Sequence, residues 1–257
     1  MHNICVIPAR MASSRFPGKP LAPIAGMPML GHVAKRCILS NVFDRVVVAT
    51  CDSEIQQYCD SIGVEAVLTS SSHERATDRV QEAVENLENN LGCRYTTVTL
   101  VQGDEPMITE HMLRTALEGL LPSDVQVVNL KSPITSYEEY TSPNCVKVVC
   151  DKNDDALYFS RAGIPVIQKD HKDFSQAFKQ VCVIPFKRNF LDIYSKLSPT
   201  PLEISESIDM NRVIEHGYSV RCYFVEDQSY PVDVPDDLTR AESFILNQEI
   251  TKQYHCF

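Results

Sequence analysis

The sequence predicts an α/β fold built on a mostly parallel sheet. Residues 4–7 and 45–50 are short apolar runs of strand length, and each is followed by a polar loop and a segment with helical spacing. Another short strand, at residues 65–68, follows the second helix. This alternation of strands and helices is typical of βαβ units, which form parallel sheets of the Rossmann-like kind.

The spacing of apolar residues and the turn residues between them set the remaining elements. Helices are predicted at 29–39, 53–62 (capped by Asp52 or Ser53), 77–87 (capped by Thr77), from near Thr109, at 201–217 and up to about Asn247. Further strands are predicted at 96–102, 125–132, 146–150, 181–185 and 218–225. The stretch from about 155 to 198 is polar and long for a connection, so we expect one domain over 1–257 with an inserted dimerisation arm there.

Composition narrows the class of protein. The chain has 257 residues, 44% of them apolar and 23% charged, which is ordinary for a soluble globular protein. Its formal charge of −10 argues against a general nucleic-acid binder. Any anion site must therefore be a local concentration of positive charge in a negative protein.

The cysteines and the apolar pattern indicate a cytoplasmic protein. Ten cysteines are spaced irregularly without a C-x-x-C pair, which favours buried free thiols in a reducing compartment over a disulfide framework or a zinc site. No signal-peptide pattern and no long apolar stretch is present. We therefore expect a cytoplasmic protein that binds neither membranes nor nucleic acid.

A basic loop follows the first predicted strand. It carries three cations and three small residues: Arg10, Arg15, Lys19, Ser13, Ser14 and Gly18. Cations so close together repel one another unless an anion lies among them, and small residues let main-chain N–H groups approach such an anion. The loop matches neither G-x-x-x-x-G-K-[ST] nor G-x-G-x-x-G, so it is neither an ordinary P-loop nor a dinucleotide loop. A polyphosphate site is the functional interpretation, and a solvated basic loop is the alternative.

Carboxylates follow the fourth strand and a late turn. Asp104 stands in the sequence Gly-Asp-Glu-Pro directly after residues 96–102, and Asp233 is held between Val232 and a Val-Pro pair. Mg²⁺ prefers oxygen ligands and is usually held by one or two carboxylates plus substrate phosphates. The sequence therefore favours a metal site at Asp104, with a helix N-cap as the alternative.

A polar connection at residues 69–79 carries a second group of basic side chains. His73, Arg75 and Arg79 lie close together in it, where a strand gives way to a helix. They could hold an acidic ligand or a base edge. A solvated loop and helix start explains them equally well.

Seven motifs in chain order resemble the CMP-Kdo synthetases, the 3-deoxy-manno-octulosonate cytidylyltransferases. They are VIPAR..SSR.PGKP, H..AT.R, VQGDEP, PN.VKVV, ALYFSRA.IP, PLE..E.....R....G and VD.P.DL, and they run from Asn3 to about Ser243. The resemblance implies a nucleotidyltransferase α/β fold with a dimerisation arm. It also implies a CTP- and Mg²⁺-dependent reaction that forms a CMP-linked sugar acid and pyrophosphate.

The resemblance also assigns roles to individual residues. Those expected to bind the nucleotide are Ala9, Arg10, Ser13, Arg15, Lys19 and Arg79, with Arg10, Lys19 and Asp104 acting in catalysis. Asp104 and Asp233 are the expected metal ligands. Those expected to bind the anionic acceptor are Gln102, Lys147, Arg161 and Glu206, and Arg75 is added to them although it departs from the family pattern.

The acceptor region is where the chain departs from the family pattern. The family's H-x-G-x-Y-x-Y stretch is replaced by Val-Cys-Val-Ile-Pro-Phe at residues 181–186, and Arg75 stands where the family has a small residue. Kdo, 3-deoxy-manno-octulosonate, is the family's acceptor. Another sugar acid or a small phosphonate or phosphate acid is the alternative, because Arg75 adds a donor suited to such groups. A non-catalytic nucleotide-binding protein is a further alternative, although it would have no need of two metal carboxylates.

Overall fold

The computed structural model describes residues 2–12, 16–167 and 173–255. Contacts between residues divide the chain into two compact units. The first unit comprises Met1–Leu113 and Ser229–Phe257, and the second comprises Arg114–Gln228. The chain thus passes between the units within one helix and again just before Ser229, and the prediction of one domain over 1–257 stays a prediction.

The first unit contains most of the predicted βαβ elements. Its strands and helices are β1 (Asn3–Pro8), β2 (Pro23–Ile24), β3 (Met27–Pro28), α1 (Met29–Leu39), β4 (Arg45–Thr50), α2 (Ser53–Ser61), β5 (Glu65–Leu68), α3 (Ala76–Leu91), β6 (Thr97–Val101), the first turn of α4 (Glu110–Glu118) and α9 (Asp237–Leu246). Short 3-10 turns lie at Lys19–Leu21 and Glu249–Gln253. The predicted α1, β4 and β5 are confirmed at both ends.

The sheet of the first unit is parallel. Strands β6, β1, β4 and β5 lie side by side in that order, and each neighbouring pair runs in the same direction. The last five residues of β1 are all buried, as expected for a central strand covered on both faces. Helices α1 and α3 contact this sheet. The α/β prediction with a mostly parallel sheet is therefore confirmed for this unit.

The second unit contains the rest of α4 and a mixed sheet. Its elements are β7 (Val128–Pro133), α5 (Tyr137–Thr141), β8 (Lys147–Cys150), β9 (Ala156–Ser160), β10 (Phe178–Val181), β11 (Val183–Lys187), α6 (Arg188–Tyr194), α7 (Pro201–Glu206), α8 (Asp209–Glu215) and β12 (Arg221–Phe224). The strand order is β12-β7-β10-β8-β9, in which only β12 and β7 run parallel.

Two predicted elements of the second unit are divided in the structure. The helix expected at 201–217 is two short helices, because Ser207 adopts a left-handed conformation with φ 56°. The strand expected at 181–185 is two strands that separate at Cys182. Neither site contains a glycine or proline to signal the break. Residues 155–198 supply β9, β10, β11 and α6, and their role as a dimerisation arm stays a prediction.

The C-terminal segment of the first unit is held against α1. His32 Nε2 donates to the Ile24 carbonyl at 2.9 Å, and its Nδ1 lies 3.0 Å from the Tyr254 hydroxyl. Arg36 donates to the same hydroxyl at 3.2 Å and to the Thr251 hydroxyl at 3.0 Å. His32 and Arg36 are almost completely buried, so these bonds fix the end of the described chain.

No described helix combines the length and the apolar character that a membrane span requires.

Candidate active site

The basic loop and Asp104 meet at one edge of the parallel sheet. Strands β1 and β6 are neighbours with Val6 opposite Leu100, and parallel strands end at the same edge. Gly103 makes the approach close, because a Cβ there would lie only 3.0 Å from the Pro8 carbonyl oxygen. A larger residue would push the turn after β6 away from the basic loop.

Lys19 lies between two carboxylates. Its Nζ donates to Asp104 Oδ2 at 2.6 Å and to Asp233 Oδ1 at 3.1 Å. Only 12% of the Lys19 side chain is exposed, compared with 25% for Asp104 and 9% for Asp233. The structure thus brings together three predicted site residues that stand far apart in the sequence, and their charges interact more strongly than they would in open water.

The carboxylates keep Lys19 positively charged. Burial lowers the pKa of Lys19, but the negative charges of Asp104 and Asp233 and their hydrogen bonds outweigh burial and raise that pKa above its ordinary value. Lys19 is therefore an ammonium at any physiological pH. An ammonium at this position can neutralise a phosphate or share two carboxylates, but it cannot act as a base.

Asp237 fixes the main chain that carries Asp233. Its Oδ2 accepts hydrogen bonds from the main-chain N–H groups of Asp233 at 2.9 Å and Val234 at 3.0 Å. The N–H of Val232 donates to the Asp104 carbonyl at 3.0 Å. These bonds hold the Asp233 and Asp104 segments in one arrangement.

Asp52 holds the start of the basic loop. Its Oδ2 accepts from the Met11 N–H at 2.7 Å. Gly18 closes the other end, since its N–H donates to the Met11 carbonyl at 3.2 Å and its φ of 74° is a left-handed conformation suited to glycine. Asp52 occupies the predicted N-cap position of α2, yet its side chain makes no capping hydrogen bond. Its carboxylate serves the loop instead.

The other predicted nucleotide residues of the loop are partly described. Ala9 is buried at the end of β1, and its N–H donates to the Ala49 carbonyl at 2.9 Å. Arg10 follows it and is exposed, as a phosphate ligand should be before its ligand binds. Ser13 and Arg15 lie outside the described residues, so their roles stay predictions.

Arg79 and Glu82 organise the polar connection before α3. The buried Arg79 donates to the Thr69 hydroxyl at 2.6 Å and to the Ser70 carbonyl at 3.3 Å. Glu82 accepts from the Ser70 N–H at 2.9 Å and shares a hydrogen bond with the His73 ring. Arg79 therefore holds the connection before α3 through its bonds to Thr69 and Ser70. Its predicted contact with the nucleotide stays a prediction.

The predicted acceptor residues of the first unit flank these features. Arg75 occupies the N-cap position of α3, which begins at Ala76, and Thr77 is fully buried in the first turn. The prediction that Thr77 caps this helix was therefore wrong. Gln102 is half-buried directly before Gly103, and its carbonyl accepts from the Glu105 N–H at 3.2 Å.

The predicted acceptor residues of the second unit form one hydrogen-bonded cluster. Glu206 accepts from the Tyr158 hydroxyl, the Ser160 hydroxyl and the Arg161 N–H at 2.7–2.8 Å. The fully buried Lys147 donates to three main-chain carbonyls, one of which belongs to Arg161. Burial lowers the pKa of Lys147. In this structure these side chains join β8, β9 and α7 to one another, and their predicted contact with the acceptor stays a prediction.

Sequence reasoning missed Asp52 and Asp237 as parts of the site. Both are acids at a helix start, where an acid normally serves the helix itself. In the structure, the Asp52 carboxylate accepts from the Met11 N–H of the basic loop. The Asp237 carboxylate accepts from the N–H groups of Asp233 and Val234 on the preceding turn. For Asp237 the motif VD.P.DL contained the signal, since it keeps an acid four residues after Asp233.

The sheet edge with Lys19, Asp104 and Asp233 defines an α/β protein of the nucleotide-transferring class, and comparison with known proteins is more specific. The profile of a family described as cytidylyltransferase matches residues 4–224. The chain therefore belongs to the cytidylyltransferase family.

Its relatives agree on one activity. The 3-deoxy-manno-octulosonate cytidylyltransferase of Trichlorobacter lovleyi is 39% identical, with 94% of this chain and 98% of the relative covered. The enzymes of that name from Synechococcus elongatus and Fusobacterium nucleatum are 40% and 37% identical, with 94% and 97% of this chain and 97% and 99% of the relatives covered. The resemblance drawn from the seven motifs is confirmed.

Solved structures support the same fold. A CMP:2-keto-3-deoxy-manno-octonic acid synthetase complexed with CTP matches with a TM-score of 0.83 and 33% identity, covering 96% of this chain and 99% of that one. A protein described as a glucose-1-phosphate thymidylyltransferase from Bacillus anthracis matches with a TM-score of 0.67 and 14% identity over 98% of both chains, which shows the fold alone.

Proposed function

We propose that this protein is a CTP-dependent cytidylyltransferase that joins CMP to 3-deoxy-manno-octulosonate and releases pyrophosphate. The observation that carries the proposal is the group of Lys19, Asp104 and Asp233 at the edge where the basic loop leaves the sheet. It supplies a fixed cation for phosphate oxygens and two carboxylates for a metal ion. The relatives named for this activity support the choice of nucleotide and acceptor.

The two carboxylates fit a divalent metal ion, and we infer Mg²⁺. The Asp104 and Asp233 carboxylates both contact a single atom, Lys19 Nζ, so a metal ion bound near the place of that atom could contact both carboxylates. Within the described ranges no group of three or more His, Cys, Asp or Glu side chains could hold a metal. Two protein carboxylates completed by substrate phosphates are the usual ligands of Mg²⁺. When bound, such an ion would neutralise phosphate charge and lower the pKa of a hydroxyl that it contacts.

The reaction needs charge neutralisation and alignment more than a strong base. A hydroxyl oxygen of the acceptor attacks the α-phosphorus of CTP, and the bond from that phosphorus to the pyrophosphate oxygen breaks. Arg10 and Lys19 bind and orient the phosphate oxygens and stabilise the charge that the leaving pyrophosphate gains. Asp52 and Gly18 hold the loop that presents these cations, and Asp237 holds the Asp233 segment.

Acceptor recognition is inferred from each unit separately. Arg75 and Gln102 in the first unit, and Arg161 in the second, are the residues we propose to contact the carboxylate and hydroxyl groups of the sugar acid. Arg161 is partly exposed, and its guanidinium donates to the Glu206 carbonyl at 2.6 Å and to the Pro143 carbonyl at 2.8 Å, bonds that an entering carboxylate would have to replace. A guanidinium binds a carboxylate through two parallel hydrogen bonds, which suits an acid.

We also infer a homodimer. Within the predicted arm, Leu157 and Val166 are 60% and 78% exposed. Large apolar side chains so exposed favour contact with a second copy, and two-fold dimers are the commonest soluble oligomers.

Pyrophosphate release tests the proposed function. The protein is incubated with CTP, Mg²⁺ and either 3-deoxy-manno-octulosonate or one of a panel of other sugar acids, phosphonates and phosphate esters. We expect release that requires CTP, metal and 3-deoxy-manno-octulosonate together. Faster release with a smaller acid would reassign the acceptor, and no release with any acid would contradict the proposal.

A further inference from the structure

Glu105 and Ser229 form a buried hydrogen bond between the two segments that carry the candidate metal ligands. The Ser229 hydroxyl donates to Glu105 Oε2 at 2.5 Å, and the two residues are only 2% and 1% exposed. Glu105 directly follows Asp104 in the sequence, and Ser229 lies shortly before Asp233. The bond therefore joins the Asp104 segment to the Asp233 segment at a place that solvent does not reach.

The turn after β6 directs consecutive carboxylates to different places. Asp104 is partly exposed and accepts from Lys19 Nζ at 2.6 Å, whereas the next residue, Glu105, is buried. The main chain of Glu105 is also held, since its N–H donates to the Gln102 carbonyl at 3.2 Å and its carbonyl accepts from the Ile108 N–H at 3.3 Å. Glu105 is thus the fixed point of the turn that presents Asp104.

The Asp233 segment is held at its start, its middle and its end. Ser229 is the residue at which the chain returns to the first unit, and its side chain is bonded to Glu105. The Val232 N–H then donates to a main-chain carbonyl of the turn after β6 at 3.0 Å. Asp237 accepts from the Asp233 N–H at the far end. The Ser229 hydroxyl is therefore the first anchor of this segment in its own unit.

The burial of Glu105 makes this contact important. A buried carboxyl group costs free energy unless its oxygens are hydrogen-bonded, so the Ser229 hydroxyl cannot be removed without a penalty. Lys19 also bridges Asp104 and Asp233, but the same ammonium is proposed to bind phosphate. Its bonds to the two carboxylates cannot be their lasting support in the complex with nucleotide. The bond between Glu105 and Ser229 does not involve Lys19.

We propose that Glu105 and Ser229 are positioning residues that set the separation of Asp104 and Asp233 for the metal ion and the nucleotide. Neither residue contacts the substrate, and both act through the segments that they join. The inference rests on the proposed function and deepens it. Removal of a side chain that holds metal ligands in place typically lowers metal affinity or activity by about 10- to 100-fold.

Calorimetric titration with CTP, in the presence and in the absence of Mg²⁺, tests the inference without turnover. In the wild type, Mg²⁺ should strengthen CTP binding. In Ser229→Ala, the gain in CTP affinity that Mg²⁺ provides should be smaller by about 10-fold or more. CTP affinity without Mg²⁺ should match that of the wild type, because the basic loop is intact. The kcat for pyrophosphate release should fall together with the Mg²⁺ effect.

Two variants of Glu105 separate the hydrogen bond from burial. Glu105→Gln keeps an oxygen that can accept from the Ser229 hydroxyl, so it should retain most of the Mg²⁺ effect. Glu105→Met has a similar length but no such oxygen, so it should lose the Mg²⁺ effect as Ser229→Ala does.

Ser40→Ala is the matched control for lost stability. Ser40 is a buried serine of the same unit, and its hydroxyl donates to the Cys37 carbonyl at 2.7 Å at the end of α1. The variant should unfold at lower denaturant concentration than the wild type but should keep the full Mg²⁺ effect on CTP binding.

Three results would overturn the inference: an unchanged Mg²⁺ effect in Ser229→Ala, an equal loss of that effect in Ser40→Ala, or equal losses in Glu105→Gln and Glu105→Met. The wild type separates this inference from the proposed function. If the wild type releases no pyrophosphate, the proposed function is contradicted and the inference is contradicted with it. If the wild type releases pyrophosphate and Ser229→Ala keeps the full Mg²⁺ effect, only the inference is overturned.

Discussion

Asp104 and Asp233 share one ammonium, whose positive charge offsets part of the repulsion between the two carboxylates. Replacing either aspartate with asparagine removes a proposed metal ligand but keeps a hydrogen-bond acceptor for Lys19. We expect Asp104→Asn and Asp233→Asn each to lower kcat by at least about 100-fold, the scale of a lost preorganised electrostatic contact. Thermal unfolding should change little.

The matched control for the carboxylates is Asp236→Asn. Asp236 is exposed and stands between Pro235 and Asp237 in the same turn. Its replacement should leave pyrophosphate release near the wild-type rate. A wild-type rate in Asp104→Asn or in Asp233→Asn would remove that residue from the proposed metal site.

Lys19 and Arg10 should contribute to nucleotide affinity. Lys19→Ala removes a charge-assisted hydrogen bond worth about 1.5–3 kcal/mol, so CTP affinity should fall by roughly 10- to 100-fold. Arg10→Lys should also weaken binding, because an ammonium cannot replace the two parallel donors of a guanidinium. Calorimetric titration with CTP and Mg²⁺ measures both.

A surface lysine provides the control for the loop. Lys252→Ala removes an exposed cation that pairs with Glu249, three residues earlier in the same turn. Its CTP affinity should equal that of the wild type. If Lys19→Ala and Arg10→Lys both bind CTP as tightly as the wild type does, the basic loop does not bind the nucleotide and is only a solvated loop.

At the scale of single elements, Asp237 at the start of α9 tests whether the fixed position of the Asp233 segment matters for the reaction rate. Asp237→Ala should lower kcat more than it raises the KM for CTP, because it frees the Asp233 segment while leaving the basic loop intact. Asp237→Asn keeps an oxygen that can accept from the N–H groups of Asp233 and Val234, so it should restore much of the rate. Steady-state kinetics of both variants decide, and equal losses in the two would indicate that the charge, rather than the hydrogen bonds, matters.

The C-terminal segment gives the first unit a pH-dependent stability. Burial lowers the pKa of His32 from 6.5 to about 4, and the charges of Arg36 and His255 act in the same direction, against the hydrogen bond to Ile24. The unfolded chain therefore binds a proton more readily than the folded protein. Stability is complete above pH 6.5 and should fall by up to about 3 kcal/mol as the pH drops to 4.

Denaturant unfolding at several pH values measures this loss. His32→Gln should be less stable than the wild type at pH 7.5 but should lose less between pH 6.5 and 4. His216→Gln, which changes an exposed histidine of the second unit, should keep the wild-type pH dependence. An unchanged slope in His32→Gln would assign the pH dependence to other groups.

The elements that the sequence predicted well are those whose signals are local. The apolar spacing of Met29–Leu39 and the unbroken run Arg45–Thr50 need no partner to be recognised, and both bounds are correct. The break at Ser207 depends on a left-handed residue that is neither glycine nor asparagine, so local preference gave no warning. The capping error at Thr77 arose because α3 begins at Ala76, one residue before the predicted start, with Arg75 at the N-cap position.

At the scale of the whole molecule, distant residues of the candidate site were found by a motif or by strand order. Parallel neighbours β1 and β6 placed Lys19 near Asp104, whereas only the family resemblance linked Asp233 to them. The division into two units left no trace in composition, since no linker separates them. Hydrogen bonds such as that from Met11 to Asp52 join residues 41 positions apart and depend on the completed fold.

Assembly is tested at the same scale. We expect light scattering to report a dimer at micromolar concentration. Introducing Asp at both Leu157 and Val166 should shift the protein towards monomer, because charges on an apolar interface must be desolvated. Leu121→Asp alters a residue that is 69% exposed outside the predicted arm, and it should leave the mass unchanged. A wild-type monomer would contradict the dimer.

The position of Lys19 has a consequence for the order in which ligands arrive. At the proposed metal site, an entering ion must compete with the ammonium for Asp104 and Asp233, so the ion alone should bind weakly. A triphosphate offers Lys19 new anionic partners, and each phosphate contact that it makes releases carboxylate oxygens for the metal. Nucleotide and metal should therefore strengthen one another's binding by the same factor, as thermodynamic linkage requires. Lys19 would then be an internal counterion of the two carboxylates that moves to the phosphates when the nucleotide binds. Nucleotide binding would in this way prepare Asp104 and Asp233 for the metal ion.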